Sequence, residues 1–385
     1  MNKRKQFGCM LVDGNTLLFI SSKDIFPALY KVDLLTKRSE CLGEVPWEYY
    51  ADESALIGKI DDMLIIAPRC HQRKFLKYDM THSLFQVIWL DEDIWERDFS
   101  ISAFSNVVRL GNSLFFVGNK SAIIVEYRKD SDDFVIHKLI LPIGLSKEEL
   151  SFFWCSAVLE ENELYLPFLK GGLIKIDLKD FHVAYIEIPH NYQCFSMAVI
   201  DDYFWMMPNF GNKIMLFQWK SKEYHFIEVP IKSGNIPFMA AVDWGSEIML
   251  IPMHDETIFS IDKLTYMVSK KVVLNRLANN SRQRQFLLIY RNDEGNTYLQ
   301  KSRSHELWCF SKNGDFEKET YDVTTDNIQE LFAKSKMVKN KFWTESINVG
   351  IDFWLDILKG GEEENEILIQ NCGLNIWTDL KRANL

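Results

Sequence analysis

The chain has 385 residues, of which 47% are hydrophobic and 25% are charged, as in an ordinary soluble globular protein. Its formal net charge of −10 argues against nucleic acid or an anionic membrane surface as a general partner, because both attract positively charged proteins. Aromatic residues make up 14% of the sequence, and such residues fit the pleated, half-buried surface of a β-sheet.

The first residues, MNKRKQFGCMLVDGNTLLFIS, are basic, but Asp13 and Gly14 interrupt the apolar run that a secretory signal needs. No segment reaches 18 uninterrupted apolar residues, so no membrane-spanning helix is predicted. The seven cysteines are odd in number, scattered and without a CxxC spacing, which favours reduced thiols over a disulfide framework. We therefore expect a cytoplasmic protein.

A strand, tight turn and strand recur along the chain in CMLVDGNTLLFIS, ALIGKIDDMLIIAP, NVVRLGNSLFFVG, SAVLEENELYLPF, MAVIDDYFWMMP, MAAVDWGSEIMLIP and LLIYRNDEGNTYLQ. A second strand pair follows each of these, as in LYKVDLLTKRSECLGEVP, FLKYDMTHSLFQVIWL, IIVEYRKDSDDFVIHKLILP, LIKIDLKDFHVAYIEIP, IMLFQWKSKEYHFIEVP, IFSIDKLTYMVSKKVVL and ELWCFSKNGDFEKETYDV. The turns contain residues that tolerate positive φ or hydrogen-bond their own backbone.

The second pairs align on one position, occupied in turn by Asp33, Asp79, Arg128, Asp177, Gln218, Asp262 and Ser311, at intervals of 41 to 49 residues. Four short strands in a period of this length are typical of a β-propeller blade. A lone sheet of this hydrophobicity cannot cover both of its faces, whereas a closed ring of sheets buries each face against its neighbour. The sequence therefore predicts an all-β, seven-bladed β-propeller over residues 1–323.

The order of strand, loop, strand ending in Asp, polar turn and strand ending in Pro resembles that of kelch-type propellers, over roughly residues 8 to 323. Gly171-Gly172 matches the diglycine of a kelch repeat, and the other six units lack it. PQQ-like and WD40-like propellers stay open as alternatives, although no WD dipeptide or GH signature occurs.

Gly171-Gly172 is the only double glycine in the first 350 residues and raises the question of a phosphate-binding loop. A phosphate-binding glycine loop opens a helix, so that the helix amides face the anion. Here the apolar strand LIKIDL follows instead. We predict a turn between the second and third strands of the fourth blade.

Residues 324–385 break the repeat and predict a short C-terminal helical extension. Asp326 is placed as an N-cap, and Gly360 follows a second helical segment. We expect these helices to dock on the propeller through apolar residues, namely Phe353, Trp354, Leu355, Ile376 and Trp377, because soluble proteins rarely expose such a set. Docking on a partner is the alternative.

No motif for metal binding or nucleophilic catalysis stands out. The eight histidines are isolated, and neighbours such as Cys70-His71 rarely converge on one ion. No GxSxG occurs, and the acidic pairs Asp61-Asp62 and Asp201-Asp202 lie in predicted hairpin turns. We expect no metal and no other cofactor.

The resemblance to propellers implies that the loops between second and third strands share one face with the segments that enter each blade. Six of these seven loops carry a basic residue, and the entering segments carry aromatic residues. Such side chains around one axis suit an anionic or glycan-like ligand or the acidic loop of a protein partner. The candidate ligand-binding residues are Arg69, His71, Arg73, Lys120, Lys170, Lys213, His254, Arg303, Trp154 and Tyr192. The alternative is that these aromatics belong to the core and these bases are solvated.

Two functions are compatible with this face. The first is a non-catalytic cytoplasmic propeller that binds or scaffolds a protein or an anionic or glycan ligand. The second is a kelch-like propeller enzyme that acts on an acidic sugar as a lyase or mutarotase, through candidates at Arg69, His71, His254 and Arg303. Such an enzyme requires these side chains to converge on one pocket, because proton transfer needs hydrogen-bond reach of the substrate. The sequence does not define the oligomeric state.

Overall fold

Alternating apolar residues and tight turns produce seven antiparallel sheets of four strands each, which we call blades 1 to 7 in chain order. Within a blade the strands pair in sequence order, first with second, second with third and third with fourth. The predicted all-β, seven-bladed β-propeller is confirmed. The computed structural model describes residues 7–21, 28–46, 56–68, 74–90, 104–118, 122–140, 142, 156–168, 171–231, 236–274, 286–292, 294–301 and 306–320.

The strands of the first four blades are as follows. Blade 1 contains β1 (Phe7–Asp13), β2 (Thr16–Ser21), β3 (Ala28–Asp33) and β4 (Ser39–Glu44). Blade 2 contains β5 (Leu56–Ile60), β6 (Met63–Ala67), β7 (Lys74–Asp79) and β8 (Leu84–Trp89). Blade 3 contains β9 (Phe104–Leu110), β10 (Ser113–Gly118), β11 (Ile123–Arg128) and β12 (Asp133–Lys138). Blade 4 contains β13 (Val158–Glu160), β14 (Glu163–Pro167), β15 (Leu173–Asp177) and β16 (Val183–Ile186).

The other three blades continue the series. Blade 5 contains β17 (Cys194–Ile200), β18 (Tyr203–Pro208), β19 (Lys213–Phe217) and β20 (Tyr224–Glu228). Blade 6 contains β21 (Phe238–Trp244), β22 (Glu247–Pro252), β23 (Thr257–Asp262) and β24 (Val268–Val273). Blade 7 contains β25 (Phe286–Arg291), β26 (Thr297–Lys301), β27 (Glu306–Phe310) and β28 (Phe316–Thr320).

Helical structure in the described ranges consists of one short 3₁₀ helix, Pro189–Asn191, between blades 4 and 5. In those same ranges, no helix has both the length and the apolar character to cross a membrane. The expected C-terminal helices of residues 324–385, with their proposed docking residues, lie outside the part of the chain that the structure describes.

The first strand of each blade lies nearest the axis of the ring. First strands of neighbouring blades contact one another, as β1 does with β5 and with β25. The fourth strands form the circumference, and β20 illustrates this, since four of its five residues are exposed. Residues near the start of a first strand therefore lie around the axis, where a ligand can be surrounded by several blades.

Seven apolar clusters of described residues fill the spaces between neighbouring blades, one for each pair. Between blades 2 and 3, for example, Phe75 of β7 packs its ring against Phe104, Phe116 and Phe134, at centroid distances of 5.0 to 5.3 Å. Burial of one such side chain stabilises the fold by roughly 1.5–3 kcal/mol. The core of this protein is therefore a ring of seven interfaces.

The aligned aspartates shape the turn after the third strand. Asp33 Oδ1 accepts hydrogen bonds from the backbone N–H groups of Leu35 and Thr36 at 2.9 and 2.8 Å. Asp79, Asp177 and Asp262 accept equivalent bonds from residues two or three positions later. The bond from Thr36 lowers the pKa of Asp33, because it favours the ionised carboxylate. The repeat seen in the sequence is thus a repeated Asx turn.

Blades 1 and 7 close the ring through side-chain packing. Met10 and Val12 of β1 lie in one apolar cluster with Tyr298 and Leu307 of blade 7. Gln300, which points to the same side of β26 as Tyr298, is fully buried, and its amide has no hydrogen-bond partner among the described residues. An unpaired buried amide destabilises a fold by about 1–3 kcal/mol. We call this interface the closing seam.

Gly171 and Gly172 form the predicted turn between β14 and β15. Gly171 N donates to Phe168 O at 2.9 Å, which closes the turn. Both glycines adopt positive φ, +105° and +92°. A Cβ at position 171 would lie 2.9 Å from the backbone carbon of Asn191, in the connection to blade 5. Glycine is therefore required here for its backbone angle and for the close approach of a neighbouring segment.

We expect Gly171→Ala to lower the free energy of unfolding by about 1–3 kcal/mol, because backbone strain and a backbone clash act together. Gly211→Ala is the matched control, since Gly211 has φ +90° and open space around its Cβ position. Urea unfolding of both variants separates strain from contact. If the two variants are equally stable, the approach of Asn191 contributes nothing.

Candidate functional site at the axial mouth

The loops between second and third strands and the connections between blades lie on one face of the ring, because consecutive strands are antiparallel. We call it the axial face, and we call the opposite face, with the tight turns, the hairpin face. First strands begin at the axial face. Their first residues surround the opening of the axis there, which we call the axial mouth.

Five of the seven first strands carry a β-bulge at the axial mouth. In each, the register shifts after the first residue, as between Phe238 and Ala240 of blade 6. The extra residues are Gly8, Ser105, Phe195, Met239 and Leu287. Bulges are enriched at barrel rims and beside functional sites, because they redirect the chain and release backbone groups from the ladder. Because the bulge recurs in five blades, it is a regular structural feature of the axial mouth.

Serine side chains join neighbouring blades at this mouth. Ser156 Oγ accepts a hydrogen bond from Met197 N at 2.7 Å, which connects blades 4 and 5. Ser196 Oγ donates to Met239 O at 2.9 Å, which connects blades 5 and 6. These bonds satisfy backbone groups next to the bulges, and they fix the relative positions of three blades around the opening.

Three of the predicted ligand-binding residues lie in the described part of the chain. Lys213 and His254 are exposed in or beside the second-to-third-strand loops of blades 5 and 6, on the axial face. Lys213 Nζ lies 4.0 Å from Glu228 Oε2. Tyr192 lies in the connection between blades 4 and 5. The other seven, Arg69, His71, Arg73, Lys120, Trp154, Lys170 and Arg303, lie outside the described residues.

The hydroxyl of Tyr192 has a structural role. Its oxygen lies 2.9 Å from Met206 O and 2.7 Å from Lys213 O, so its single proton is shared between two carbonyl acceptors on adjacent strands. Burial raises the pKa of Tyr192, and the phenol stays neutral at physiological pH. This contact fixes the start of β19, and the exposed Lys213 with it.

The hairpin face carries side chains of both charges. Its first-to-second-strand turns present Asp13, Asp61, Asp62, Glu160, Glu161, Asp201 and Asp202. Some bases there pair with these acids, as Lys59 does with Asp13 and Lys129 with Asp61. The third-to-fourth-strand turns of the same face carry further exposed bases, at Lys37, Lys179, Lys222 and Lys312. Lys263 Nζ lies 2.7 Å from Asp243 Oδ1.

One group of residues was missed by the sequence analysis. Tyr224 and Phe226 of β20 contact His190 and Tyr192 at the surface between blades 4 and 5. The available signal was two aromatic residues at alternate positions of a fourth strand, where solvent-facing residues are expected.

Within the described ranges, no group of three or more His, Cys, Asp or Glu side chains is arranged to hold a metal ion.

The fold is similar to that of several solved propellers. Virginiamycin B lyase from Staphylococcus aureus matches with a TM-score of 0.56 and 12% identity, over 82% of this chain and 95% of that one. The extracellular domain of a putative hybrid two component system from B. thetaiotaomicron matches with a TM-score of 0.51 and 12% identity, over 85% of this chain and 48% of that one. A chain of the mitotic checkpoint complex matches with a TM-score of 0.51 and 11% identity, over 83% of this chain and 89% of that one.

No protein-family model matches this chain, and no curated protein gives a significant match. Identities of 11 to 12% indicate a shared propeller fold and carry no activity or ligand with them. These structural neighbours are propellers of several kinds and not specifically kelch proteins.

Proposed function

We propose that this chain is a non-catalytic binding module whose axial face engages an anionic ligand, either an acidic glycan or the acidic surface of a protein. The observation that supports this most is the basic residue that six of the seven second-to-third-strand loops carry in the sequence, with Lys213 exposed on the axial face. A cytoplasmic location and a kelch-type ancestry belong to the same proposal.

The bulged mouth supports the same interpretation. Anions bind well where cationic groups converge on a preformed opening, because no further ordering is needed on binding. The serine bonds between blades 4, 5 and 6 hold such an opening in place. The enzymatic alternative on an acidic sugar depends on His254 together with Arg69, His71 and Arg303. The last three lie outside the described residues, and this alternative stays a prediction.

The test removes four axial charges at once, in the variant Arg69→Gln, Lys170→Gln, Lys213→Gln and Arg303→Gln. We expect this variant to bind polygalacturonate or a poly-glutamate peptide at least tenfold more weakly than the parent at low salt, with a smaller difference at physiological salt, because ions screen exposed charges. Calorimetry at two ionic strengths measures both effects. The two probes distinguish a glycan from a protein surface.

The control removes the same charge from the hairpin face through Lys37→Gln, Lys179→Gln, Lys222→Gln and Lys312→Gln. This control is expected to bind as the parent does. Equal losses in both variants would show a dependence on net charge only. Unchanged binding by the axial variant at both salt concentrations would refute the proposal.

A further inference from the structure

Four rings form a continuous platform on the outer surface between blades 4 and 5, away from the axial mouth. We call His190, Tyr192, Tyr224 and Phe226 the aromatic platform. Ring centroids lie 5.7 Å apart for His190 and Tyr224, 5.7 Å for Tyr224 and Phe226, and 5.9 Å for Phe226 and both His190 and Tyr192. At these distances the rings touch one another and present a surface with no cavity between them.

The period of a strand explains why this surface is exposed. Side chains of β20 alternate between two sides, and Ile227 is buried in the cluster between blades 5 and 6. Tyr224, Phe226 and Glu228 therefore face blade 4. Tyr224 is 38% exposed and Phe226 is 40% exposed. The fold leaves two large aromatic side chains side by side in solvent.

The platform is held in a fixed position. His190 Nε2 lies 3.2 Å from Tyr224 Oη, and the hydroxyl of Tyr192 is bonded to two carbonyl groups. His190 and Asn191 both adopt left-handed backbone angles, with φ of 60° and 48°. Ten other described non-glycine residues share such angles, most of them in tight turns, and here the angles fix the course of the connection between blades 4 and 5. The backbone of Asn191 is supported by its contact with Gly171.

Polar groups border the platform at the end of β20. Asn212 Nδ2 donates to Glu228 Oε1 at 3.3 Å, and Lys213 Nζ lies 4.0 Å from Glu228 Oε2. Glu228 is exposed, so its carboxylate retains free acceptor positions. A ligand seated on Phe226 thus meets a carboxylate, an amide and an ammonium group at one edge.

We propose that the aromatic platform and this polar border bind a pyranose ring of a neutral saccharide. One face of a pyranose carries C–H groups that stack on aromatic rings, and its hydroxyl groups donate to an ionised carboxylate and accept from an amide or ammonium. A quaternary ammonium ligand fits less well, since touching rings leave no cage around a cation. A proline-rich peptide also stacks on aromatic rings, but its backbone offers carbonyl acceptors and few donors for Glu228.

The experiment measures binding of cellohexaose, maltohexaose, xylohexaose and mannohexaose to the full chain by calorimetry and ligand-observed NMR. At least one is expected to bind, and Tyr224→Ala combined with Phe226→Ala is expected to weaken it at least tenfold. Glu228→Gln is expected to weaken it about threefold to tenfold while leaving stacking intact. Trp89→Ala is the matched control, because Trp89 is 65% exposed on the outer strand of blade 2.

Phe226→Leu replaces the double variant if thermal melting shows that the latter is unfolded, since leucine keeps an apolar contact with Tyr192 and removes the ring. Absence of binding to all four sugars, or equal losses with Trp89→Ala, would overturn the proposal. Binding of a polyproline peptide in place of every sugar would also overturn it. The variant Arg69→Gln, Lys170→Gln and Arg303→Gln, which leaves Lys213 and the polar border unchanged, should bind the neutral sugar as the parent does, so the two proposals succeed or fail separately.

Discussion

Replacing Phe75 by alanine is expected to lower the free energy of unfolding by about 3–5 kcal/mol, the largest effect of a single substitution considered for this protein. Phe75 is fully buried and contacts three phenylalanine rings of blade 3. Alanine removes the apolar burial and leaves a cavity that seven interlocked blades cannot close by moving one of them. The midpoint and slope of urea unfolding measure the effect.

Phe210→Ala serves as the control, because Phe210 is 58% exposed in a loop of blade 5. It is expected to change stability by less than about 0.5–1 kcal/mol. A loss of under 1 kcal/mol for Phe75→Ala would contradict the packing of blades 2 and 3 described above.

The second large effect concerns Glu126, a buried carboxylate between blades 3 and 4. Its oxygens contact Ser113 Oγ at 2.8 Å, His137 Nε2 at 2.8 Å and an Arg128 guanidinium nitrogen at 3.0 Å. The ring of His137 stacks on Phe181 of blade 4 at a centroid distance of 3.5 Å. Glu126→Ala leaves three polar groups without their acceptor, and we expect a loss of roughly 2–4 kcal/mol at pH 7, allowing for the exposure of Arg128.

The same carboxylate makes stability depend on pH. Burial alone raises the pKa of Glu126, but the hydrogen bonds from Arg128, Ser113 and His137 together outweigh it, and the pKa lies below its ordinary value of 4.5. A carboxylate whose pKa is lowered by folding stabilises the fold above its unfolded pKa, and this stabilisation is lost as the pH falls through the folded pKa.

The stability difference between the parent and Glu126→Gln is therefore expected to shrink as the pH falls below about 4, where Glu126 of the parent becomes protonated. Thermal melts over this range measure it. Glu317→Ala is the control, because Glu317 is exposed on the outer strand of blade 7. A difference that stays unchanged below about pH 4 would contradict the network around Glu126.

Architecture was predictable because local chemistry repeats in every blade. An Asx turn follows the third strand in four blades, so the spacing of its aspartates reports the number of residues per blade. These aspartates are Asp33, Asp79, Asp177 and Asp262. The turn at Gly171-Gly172 was predictable for a similar reason, since an apolar strand follows it at once. Period and turn chemistry act over a few residues, and these are the signals that a single sequence contains.

The two candidate sites depend on contacts between blades. A bulge such as that at Met239 leaves no signature in its own strand, because it reflects how five first strands meet around an axis. Tyr224 and Phe226 alternate as buried strand residues do, and only their place at the circumference exposes them. Of the predicted loop residues, the structure describes Lys213 and His254 on the axial face, and the rest of that prediction stands untested.

The closing seam has a consequence for the order in which the ring forms. Neighbouring blades are joined through chain segments of about 46 residues, whereas Met10 and Tyr298 meet across nearly the whole described chain. A loop about six times longer has a closure entropy larger by roughly 1.6 kcal/mol. Contacts of such sequence separation form late in folding. We therefore expect the closing seam to form after the other six interfaces between blades. Because the seam also contains the unpaired amide of Gln300, we expect it to be the first interface to open.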